Sequence, residues 1–198
     1  LLRLDPSIEH VRACSNGKNA AINLACKHNR NEMVNILLRH HADPCHPNQW
    51  QWTPLMEAAS FADVSILQNL LASPSFNCAT VNAQSDWRET ALHLACKSGH
   101  LEKTKLLLNV RANCFIQDGE GKTPLMIACQ KRDHAMIKLL MDSHSELVED
   151  KTMMKALINI KDLYQKSALF YLGAKPSIEL FQLFLDLGAD CITPDIHG

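Results

Sequence analysis

One segment of this 198-residue chain recurs five times in the same register. Residues 20–43 align with residues 90–113 without a gap, and three further segments fall into the same frame. Successive copies start 33, 37, 33 and 44 residues apart. Self-similarity at a fixed period indicates a repeat architecture, in which no copy buries its apolar face alone and neighbouring copies stack to form the core. The first residues of the copies are Ala20, Thr53, Thr90, Thr123 and Ser167.

Each copy has the pattern of two short helices. In two copies a threonine is followed directly by proline, as at Thr53 and Pro54. A hydroxyl caps a helix N-terminus, and proline suits the first turn because its missing N–H would have no partner there. Apolar and small residues follow at helical spacing, then a break such as 98–100, and then a helix that ends on paired apolar residues such as Leu107 and Leu108. We predict helix pairs that begin near residues 21, 54, 91, 124 and 168.

The 33-residue period and the motifs TPLMEA (53–58), TALHLA (90–95) and TPLMIA (123–128) resemble the ankyrin-repeat family, whose signature is T-P-L-H-x-A. The resemblance extends from about Asn16 to Gly198. It implies an all-α solenoid of helix–turn–helix units with short β-hairpin tips. It also implies a scaffold without catalytic residues, cofactor or metal, which binds a partner protein or peptide on a concave face of hairpin tips and short inner helices.

The repeat register predicts one array, expected to be a monomeric module of a larger protein. The fourth copy carries an insertion at about 143–161, which is predicted to be helical because its apolar residues have helical spacing and 145–161 lacks proline and glycine. This insertion either packs on the stack or docks a partner. The predicted segments are a capping segment at 1–16, repeats at 17–47, 48–84, 85–117, 118–161 and 162–194, and the start of a truncated sixth repeat at 195–198.

Composition and charge exclude several classes of protein. The net charge of −1 indicates neither a nucleic-acid binder nor a membrane-surface protein. No run reaches the roughly 18 consecutive apolar residues of a membrane span. Three of the eight cysteines, Cys26, Cys96 and Cys129, recur in the same column after alanine, where cysteine acts as a small buried apolar residue. We therefore predict reduced thiols and an intracellular location, cytoplasmic or nuclear.

Residues 39–47, RHHADPCHP, contain three histidines and one cysteine, which are usual zinc ligands. In the repeat register, however, His41 occupies the slot of Gly188, where a left-handed residue closes the second helix. Cys45 falls in the column of Phe115, which leads into the next tip. We interpret the cluster as a repeat-closing loop rather than a metal site. His93 is likewise interpreted as the structural histidine of the T-x-L-H motif.

Two rows of residues predict the partner site. The three tryptophans all lie at hairpin tips, and tryptophan is the residue most enriched in binding hot spots. The alternative is that they stack on each other or on neighbouring repeats and stiffen the tips. Four of the five copies place a lysine at the end of the inner helix, which is either a solvated row or a binding surface. The candidate partner-binding residues are Trp50, Trp52, Trp87, Arg88, Lys97, Lys122, Lys131, Tyr164 and Lys175.

These rows predict a partner that is acidic and carries an apolar anchor. Two other functions stay open at this point. Lysines interleaved with tryptophans also suit oligonucleotide or RNA binding, in which phosphates are neutralised and bases stack. The array could instead present substrate within a larger enzyme, such as a ubiquitin ligase or a kinase.

Overall fold

The computed structural model describes residues 21–76, 78–142, 151–173 and 177–191. Within these ranges the chain forms eleven α-helices, one 3-10 helix at Cys78–Asn82 and no β-strand, which confirms the all-α repeat fold. The helices are α1 (Ala21–Lys27), α2 (Asn31–Arg39), α3 (Pro54–Phe61), α4 (Val64–Leu71), α5 (Ala91–Ser98), α6 (Leu101–Asn109), α7 (Pro124–Lys131), α8 (His134–Asp142), α9 (Lys151–Asn159), α10 (Ala168–Tyr171) and α11 (Ile178–Asp186).

The inner helices of the second to fifth repeats begin where the repeat register predicts them. These helices start at Pro54, Ala91, Pro124 and Ala168, and α1 is described from Ala21 onward. The hydroxyl of Thr53 accepts a hydrogen bond from the backbone N–H of Met56 at 3.3 Å. Thr123 receives the equivalent bond from Met126 at 3.4 Å. Each threonine thereby pairs one of the N–H groups that a helix leaves without a partner in its first turn.

The chain divides into two compact units, residues 1–94 and 95–198, with the boundary inside α5. In the first unit α1 packs against α2 and α3, and α4 packs against α2 and α3. Full burial of each large apolar side chain contributes about 1.5–3 kcal/mol relative to exposure, so these contacts hold the short helices together. The core of this unit includes Ile22, Ala25, Cys26, Val34, Leu55, Ala58, Ala59, Ile66, Leu67 and Leu70.

In the second unit α7 packs against α8 and α10, α8 packs against α6, and α9 contacts α10. The predicted helical insertion is present in part as α9, and residues 143–150 lie outside the described residues. Leu157 and Ile158 of α9 are fully buried, and the side chain of Asn159 accepts a hydrogen bond from the N–H of Asp190 at 2.7 Å. These contacts support the interpretation that the insertion packs on its repeats.

Within the described residues, the predicted β-hairpin tips are turns rather than paired strands. In the tip at 48–52, the N–H of Asn48 donates to the carbonyl of Trp52 at 2.8 Å, and the N–H of Gln51 donates to the carbonyl of Asn48 at 3.0 Å. The next tip adds one bond, from the N–H of Asp86 to the carbonyl of Trp50 at 3.1 Å. A β-ladder requires successive pairs of such bonds along both strands. These tips have too few backbone bonds for a ladder, so they form turns.

Left-handed residues recur at equivalent positions of the repeats. Gln51, Arg88, Gly121 and Gln165 turn the tips with φ between 59° and 79°. His41 has φ of 60° in the slot where Gly188 has 84°, which confirms the loop-closing position predicted for this histidine. A non-glycine residue in this conformation is uncommon, and histidine is among those that tolerate it.

Four predictions concern residues outside the described ranges: the capping segment at 1–16, the first part of the insertion, Lys175 and the start of a sixth repeat.

Candidate partner-binding site

The tip of the second repeat holds two tryptophans in place through one buried side chain. The amide oxygen of Asn48 accepts hydrogen bonds from the N–H groups of Trp50 at 2.9 Å and Trp52 at 3.0 Å. Asp118 and Asp162 make the same pair of bonds in the tips of the fourth and fifth repeats. An Asn or Asp five residues before the threonine column therefore shapes each of these tips, as expected for side chains that bond their own backbone two residues on.

The neighbouring repeats fix this tip from two sides. The side-chain amide of Asn23, in the column where His93 lies, donates to the carbonyl of Trp52 at 2.9 Å. From the third repeat, Asp86 bonds the carbonyl of Trp50. The backbone that carries both tryptophans is thus held by hydrogen bonds on each side, which reduces the entropy that their side chains lose on binding.

Four aromatic side chains converge at this tip, and we call Trp50, Trp52, Phe61 and Trp87 the aromatic cluster. The ring of Trp52 stacks on Phe61 at a centroid distance of 6.0 Å and an interplanar angle of 22°. It meets Trp87 edge-on at 6.4 Å and 90°. Trp52 is half-buried, whereas Phe61 and Trp87 each expose 53% of their surface. The rings therefore stack on each other and also leave aromatic surface exposed to solvent.

The aromatic cluster borders an open cavity of about 190 Å³. Lys27, Asn48 and Glu57 complete its lining. Ligand pockets for drug-sized molecules span roughly 300–1,000 Å³, so this cavity has the size for a side chain rather than for a whole small molecule.

Glu57 brings a buried carboxylate to the cavity. Its side chain exposes only 5% of its surface, and Oε1 accepts a hydrogen bond from the side-chain amide of Asn48 at 3.2 Å. Within the described residues, Oε2 has no hydrogen-bond partner. Burial raises the pKa of Glu57 to about 7, and the positive charge of Lys27 opposes that rise. A buried polar atom without a partner is uncommon and calls for a functional or structural reason.

One further polar atom of a lining residue lacks a partner among the described residues: the indole N–H of Trp52. This group can donate a hydrogen bond. The site thus offers apolar faces together with one unused donor on Trp52 and one unused acceptor on Glu57. It can hold a group that is apolar along its length and polar at its end.

The second unit carries a separate set of lysine and aromatic side chains. Lys122 Nζ lies 2.7 Å from a carboxylate oxygen of Glu120 and 5.3 Å from the ring centroid of Tyr171. Lys166 Nζ lies 4.3 Å from the ring of Phe170 and 5.9 Å from the ring of Tyr164. The hydrogen bond and charge of Lys122 hold the pKa of Glu120 below its usual range. Lys122 therefore already interacts with Glu120 and Tyr171 within its own unit.

The remaining predicted residues divide by position. Arg88 is exposed beside Trp87, and Lys97 and Lys131 are exposed at the ends of α5 and α7. Tyr164 is exposed at the tip of the fifth repeat. The structure brings Trp50, Trp52 and Trp87 together in the first unit.

Histidine and cysteine side chains that could bind a metal or act as nucleophiles make structural contacts instead. Nδ1 of His93 accepts a hydrogen bond from the N–H of Thr90 at 3.2 Å and lies 2.8 Å from its hydroxyl, as expected for a histidine that fixes the helix entry. Cys96 is buried, and burial raises the pKa of its thiol to about 12, so its thiolate is scarce at neutral pH. Sγ of Cys45 lies 3.1 Å from the hydroxyl of Thr80. No three metal-binding side chains meet anywhere in the part of the chain that the structure describes.

The repeat pattern is matched by a family model described as ankyrin repeats (3 copies), which covers residues 1–79 and 55–152. The chain belongs to the ankyrin-repeat family. Ankyrin repeats generally mediate protein–protein interaction, and the fold is typically non-catalytic.

Relatives of this ankyrin-repeat chain are found among curated proteins. Mouse inversin is 30% identical over 146 residues, which are 74% of this chain and 12% of inversin. The mouse protein named glutaminase liver isoform, mitochondrial, is 35% identical over 104 residues, which are 52% of this chain and 16% of that protein. Human ankyrin repeat domain-containing protein 63 is 30% identical over 95 residues, 48% of this chain and 25% of that protein. The chain thus spans a quarter or less of each of these relatives.

Among the described helices of this ankyrin-repeat chain, none combines the length and the apolar character needed to cross a lipid bilayer.

Sequence reasoning missed four lining residues of the ankyrin-repeat site: Lys27, Asn48, Glu57 and Phe61. For Phe61 a signal was present, because it is the aromatic member of a column that otherwise holds His28, Ser98, Lys131 and Lys175. Glu57 lies in the middle of α3, where an acidic residue is ordinary, and only the folded structure shows its buried, half-paired carboxylate.

Proposed function

We propose that this ankyrin-repeat segment binds a partner protein or peptide, and that the aromatic cluster of its first unit is the anchor site. The observation that carries this proposal is the exposure of Phe61 and Trp87 around a cavity of side-chain size. Tryptophan and other large side chains in such cavities supply most of the affinity of protein interfaces. The hydrogen bonds that hold the tip of Trp50 and Trp52 support the proposal, because a rigid anchor loses less entropy on binding.

The proposed partner carries an acidic surface as well as the anchored side chain, and it lies on the concave face formed by tips and inner helices. The exposure of Lys97 and Lys131 at the ends of their inner helices supports this part of the proposal. Exposed charges of this kind mainly raise the rate of association and make it depend on salt. Their contribution is therefore expected in the association rate, whereas the aromatic cluster acts on dissociation.

Oligonucleotide binding is the weaker alternative. A phosphate that approached the aromatic cluster would meet the carboxylate of Glu57 within the same cavity. Repulsion between like charges is strongest where water is excluded, as it is around this buried side chain. The cavity therefore favours a protein ligand over a nucleic acid.

We also propose that the segment works inside a larger intracellular protein and does not itself catalyse a reaction. The burial of Cys26, Cys96 and Cys129 as free thiols supports a reducing compartment. The match to the glutaminase covers 16% of that protein, which leaves a parent enzyme as an alternative for the full-length chain.

Selection from a random-peptide library tests the anchor site without a known partner. Peptides recovered with the wild-type protein are measured against Trp87→Ala and against Met33→Ala. Met33 lies on α2 of the same unit and exposes the same 53% of its surface, so its variant is a matched control. We expect Trp87→Ala to lower the affinity for the selected peptides by at least tenfold and Met33→Ala to leave that affinity unchanged. Equal binding to all three proteins would contradict the proposal.

A further inference from the structure

We propose that the cavity of the aromatic cluster receives a lysine side chain of the partner, with its ammonium group against Glu57 and its stem between the aromatic rings. This inference rests on the proposed function and adds the chemical identity of the anchor. The sequence alone suggested an apolar anchor, and a lysine fits that suggestion through its hydrocarbon stem. The charge at the end of the stem is what the structure adds.

The first argument is the state of the Glu57 carboxylate. Its side chain is 95% buried by accessible surface, since it exposes 5%, and it lines the cavity. One oxygen is bonded to Asn48, and the other has no partner within the described residues. A buried acceptor without a partner is energetically unfavourable, and more so when it is charged. A ligand that donates a hydrogen bond to Oε2 gives this oxygen the partner it lacks. A purely apolar ligand would leave the oxygen buried without one.

The second argument is the aromatic lining. Faces of tryptophan and phenylalanine attract a cation that lies within about 6 Å of the ring centroid, and the attraction increases when the site is desolvated. Trp50, Trp52, Phe61 and Trp87 border the same cavity as the carboxylate. Aromatic faces and a buried carboxylate are both complementary to a positive charge, so the two features favour the same ligand.

The third argument distinguishes lysine from arginine and from an anion. Arginine pairs best with both oxygens of a carboxylate at once, but Oε1 of Glu57 is already bonded to Asn48, so a single-point donor fits better. Lys27 also lines the cavity and would attract an anion. Lys27 is exposed, however, and water solvates its charge, whereas water solvates the buried Glu57 poorly. Pairing Glu57 therefore gains more free energy than pairing Lys27.

The fourth argument is that a peptide also offers an acceptor. The indole N–H of Trp52 has no partner within the described residues. A backbone carbonyl of the partner can accept this bond while its lysine occupies the cavity. One lysine residue in an extended peptide thus supplies the donor that Glu57 lacks and the acceptor that Trp52 lacks.

Nuclear magnetic resonance of the three indole N–H signals tests the inference on the intact chain. The probes are capped pentapeptides of glycine with a central lysine, norleucine, arginine or glutamate. Norleucine keeps the apolar stem of lysine and lacks its charge. We expect the lysine peptide to shift the Trp52 signal saturably and to bind at least about fivefold more tightly than the norleucine peptide. Glu57→Gln, which keeps the shape of the side chain, should make the lysine and norleucine peptides bind with equal affinity.

Each contrary result overturns the inference in a different way. Equal binding of lysine and norleucine to the wild type would show an apolar anchor, and tighter binding of glutamate would show an anionic ligand at Lys27. Tighter binding of arginine would replace the single-point contact with a bidentate one, and no shift with any peptide would also reject the inference. The library selection distinguishes a failure of the lysine anchor from a failure of the proposed function. Selected peptides that need Trp87 but contain no lysine reject only the lysine anchor, whereas peptides indifferent to Trp87→Ala reject the anchor site itself.

Discussion

Trp52 and Phe61 stack at a centroid distance of 6.0 Å, although one lies in the tip of the second repeat and the other at the end of its inner helix. The contact joins the tip and the inner helix of one repeat. Because Trp87 of the next tip packs edge-on against Trp52, three aromatic rings form one continuous patch within the first unit. Its exposed members lie outside the core of this unit, which consists of aliphatic side chains, alanines, Cys26 and Met56.

Trp87→Ala should leave folding nearly unchanged and accelerate dissociation of a selected peptide. Trp87 exposes half of its surface, so its removal opens no buried cavity. A true hot spot contributes about 2 kcal/mol or more, which corresponds to roughly a thirtyfold loss of affinity. Surface plasmon resonance measures the two rates, and thermal unfolding checks the fold. A loss of affinity accompanied by a large fall in melting temperature would assign Trp87 to the fold instead.

Reversal of two lysine charges should slow association rather than speed dissociation. Lys97→Glu with Lys131→Glu changes exposed inner-helix residues of the second unit. Lys105→Glu with Lys138→Glu makes the same change in net charge on α6 and α8 and serves as the control. For an acidic partner, we expect the first pair to lower the association rate several-fold at low salt and less at high salt. Equal effects of both pairs would show that only net charge matters.

Glu57→Gln should stabilise the protein increasingly as pH rises. The raised pKa of Glu57, about 7, means that the folded state holds its proton more tightly than the unfolded state does. Stability contributed by this group is present at low pH and is lost as pH rises from about 4.5 through 7. Glutamine does not titrate and avoids that loss. We expect the difference in melting temperature between variant and wild type to grow from pH 4.5 to pH 8, and a constant difference would contradict the burial of this carboxylate.

Binding of the lysine pentapeptide should strengthen between pH 6 and pH 8. With a pKa of about 7, Glu57 is roughly 10% ionised at pH 6 and roughly 90% at pH 8, which allows up to about a ninefold gain. Among the described residues, the ionisable groups that interact with it are Lys27 and Cys26 of α1, and burial raises the pKa of Cys26 well above this range. The norleucine peptide should show no such gain. The same gain for both peptides would assign the effect to another group.

The thiols of Cys26, Cys96 and Cys129 should react slowly with a thiol reagent in the native protein. All three are buried, and burial raises their pKa values, so both access and thiolate content are low. Cys191 is exposed and provides the internal control. Mass spectrometry after timed labelling should find Cys191 modified before Cys26, Cys96 and Cys129. Rapid labelling of the three buried positions without unfolding would show that the repeat register is wrong.

The sequence predicted the features that a single repeat encodes. The helix starts follow from Thr53 and Thr123, whose hydroxyls form the expected caps, and the left-handed His41 follows from its alignment with Gly188. The exposure of the tryptophans at tips could also be predicted, because they fall outside the core columns.

Features that depend on contacts between repeats could not be predicted. The cavity forms where the end of α3, the tip at 48–52 and the next tip converge. The alignment of the repeats does not give the distances between these elements. The unpartnered oxygen of Glu57 depends on which of its two oxygens Asn48 reaches. The absence of strands from the described tips likewise depends on how many bonds adjacent tips exchange, which a repeat motif does not specify.

Intermolecular nuclear Overhauser effects between a library-selected peptide and the protein test the central claim most directly. If the partner anchors in the aromatic cluster, protons of one peptide side chain should show contacts to the ring protons of Trp52, Phe61 and Trp87. Contacts confined to α9, the helical insertion that could instead dock a partner, would contradict the account and move the binding site to that helix.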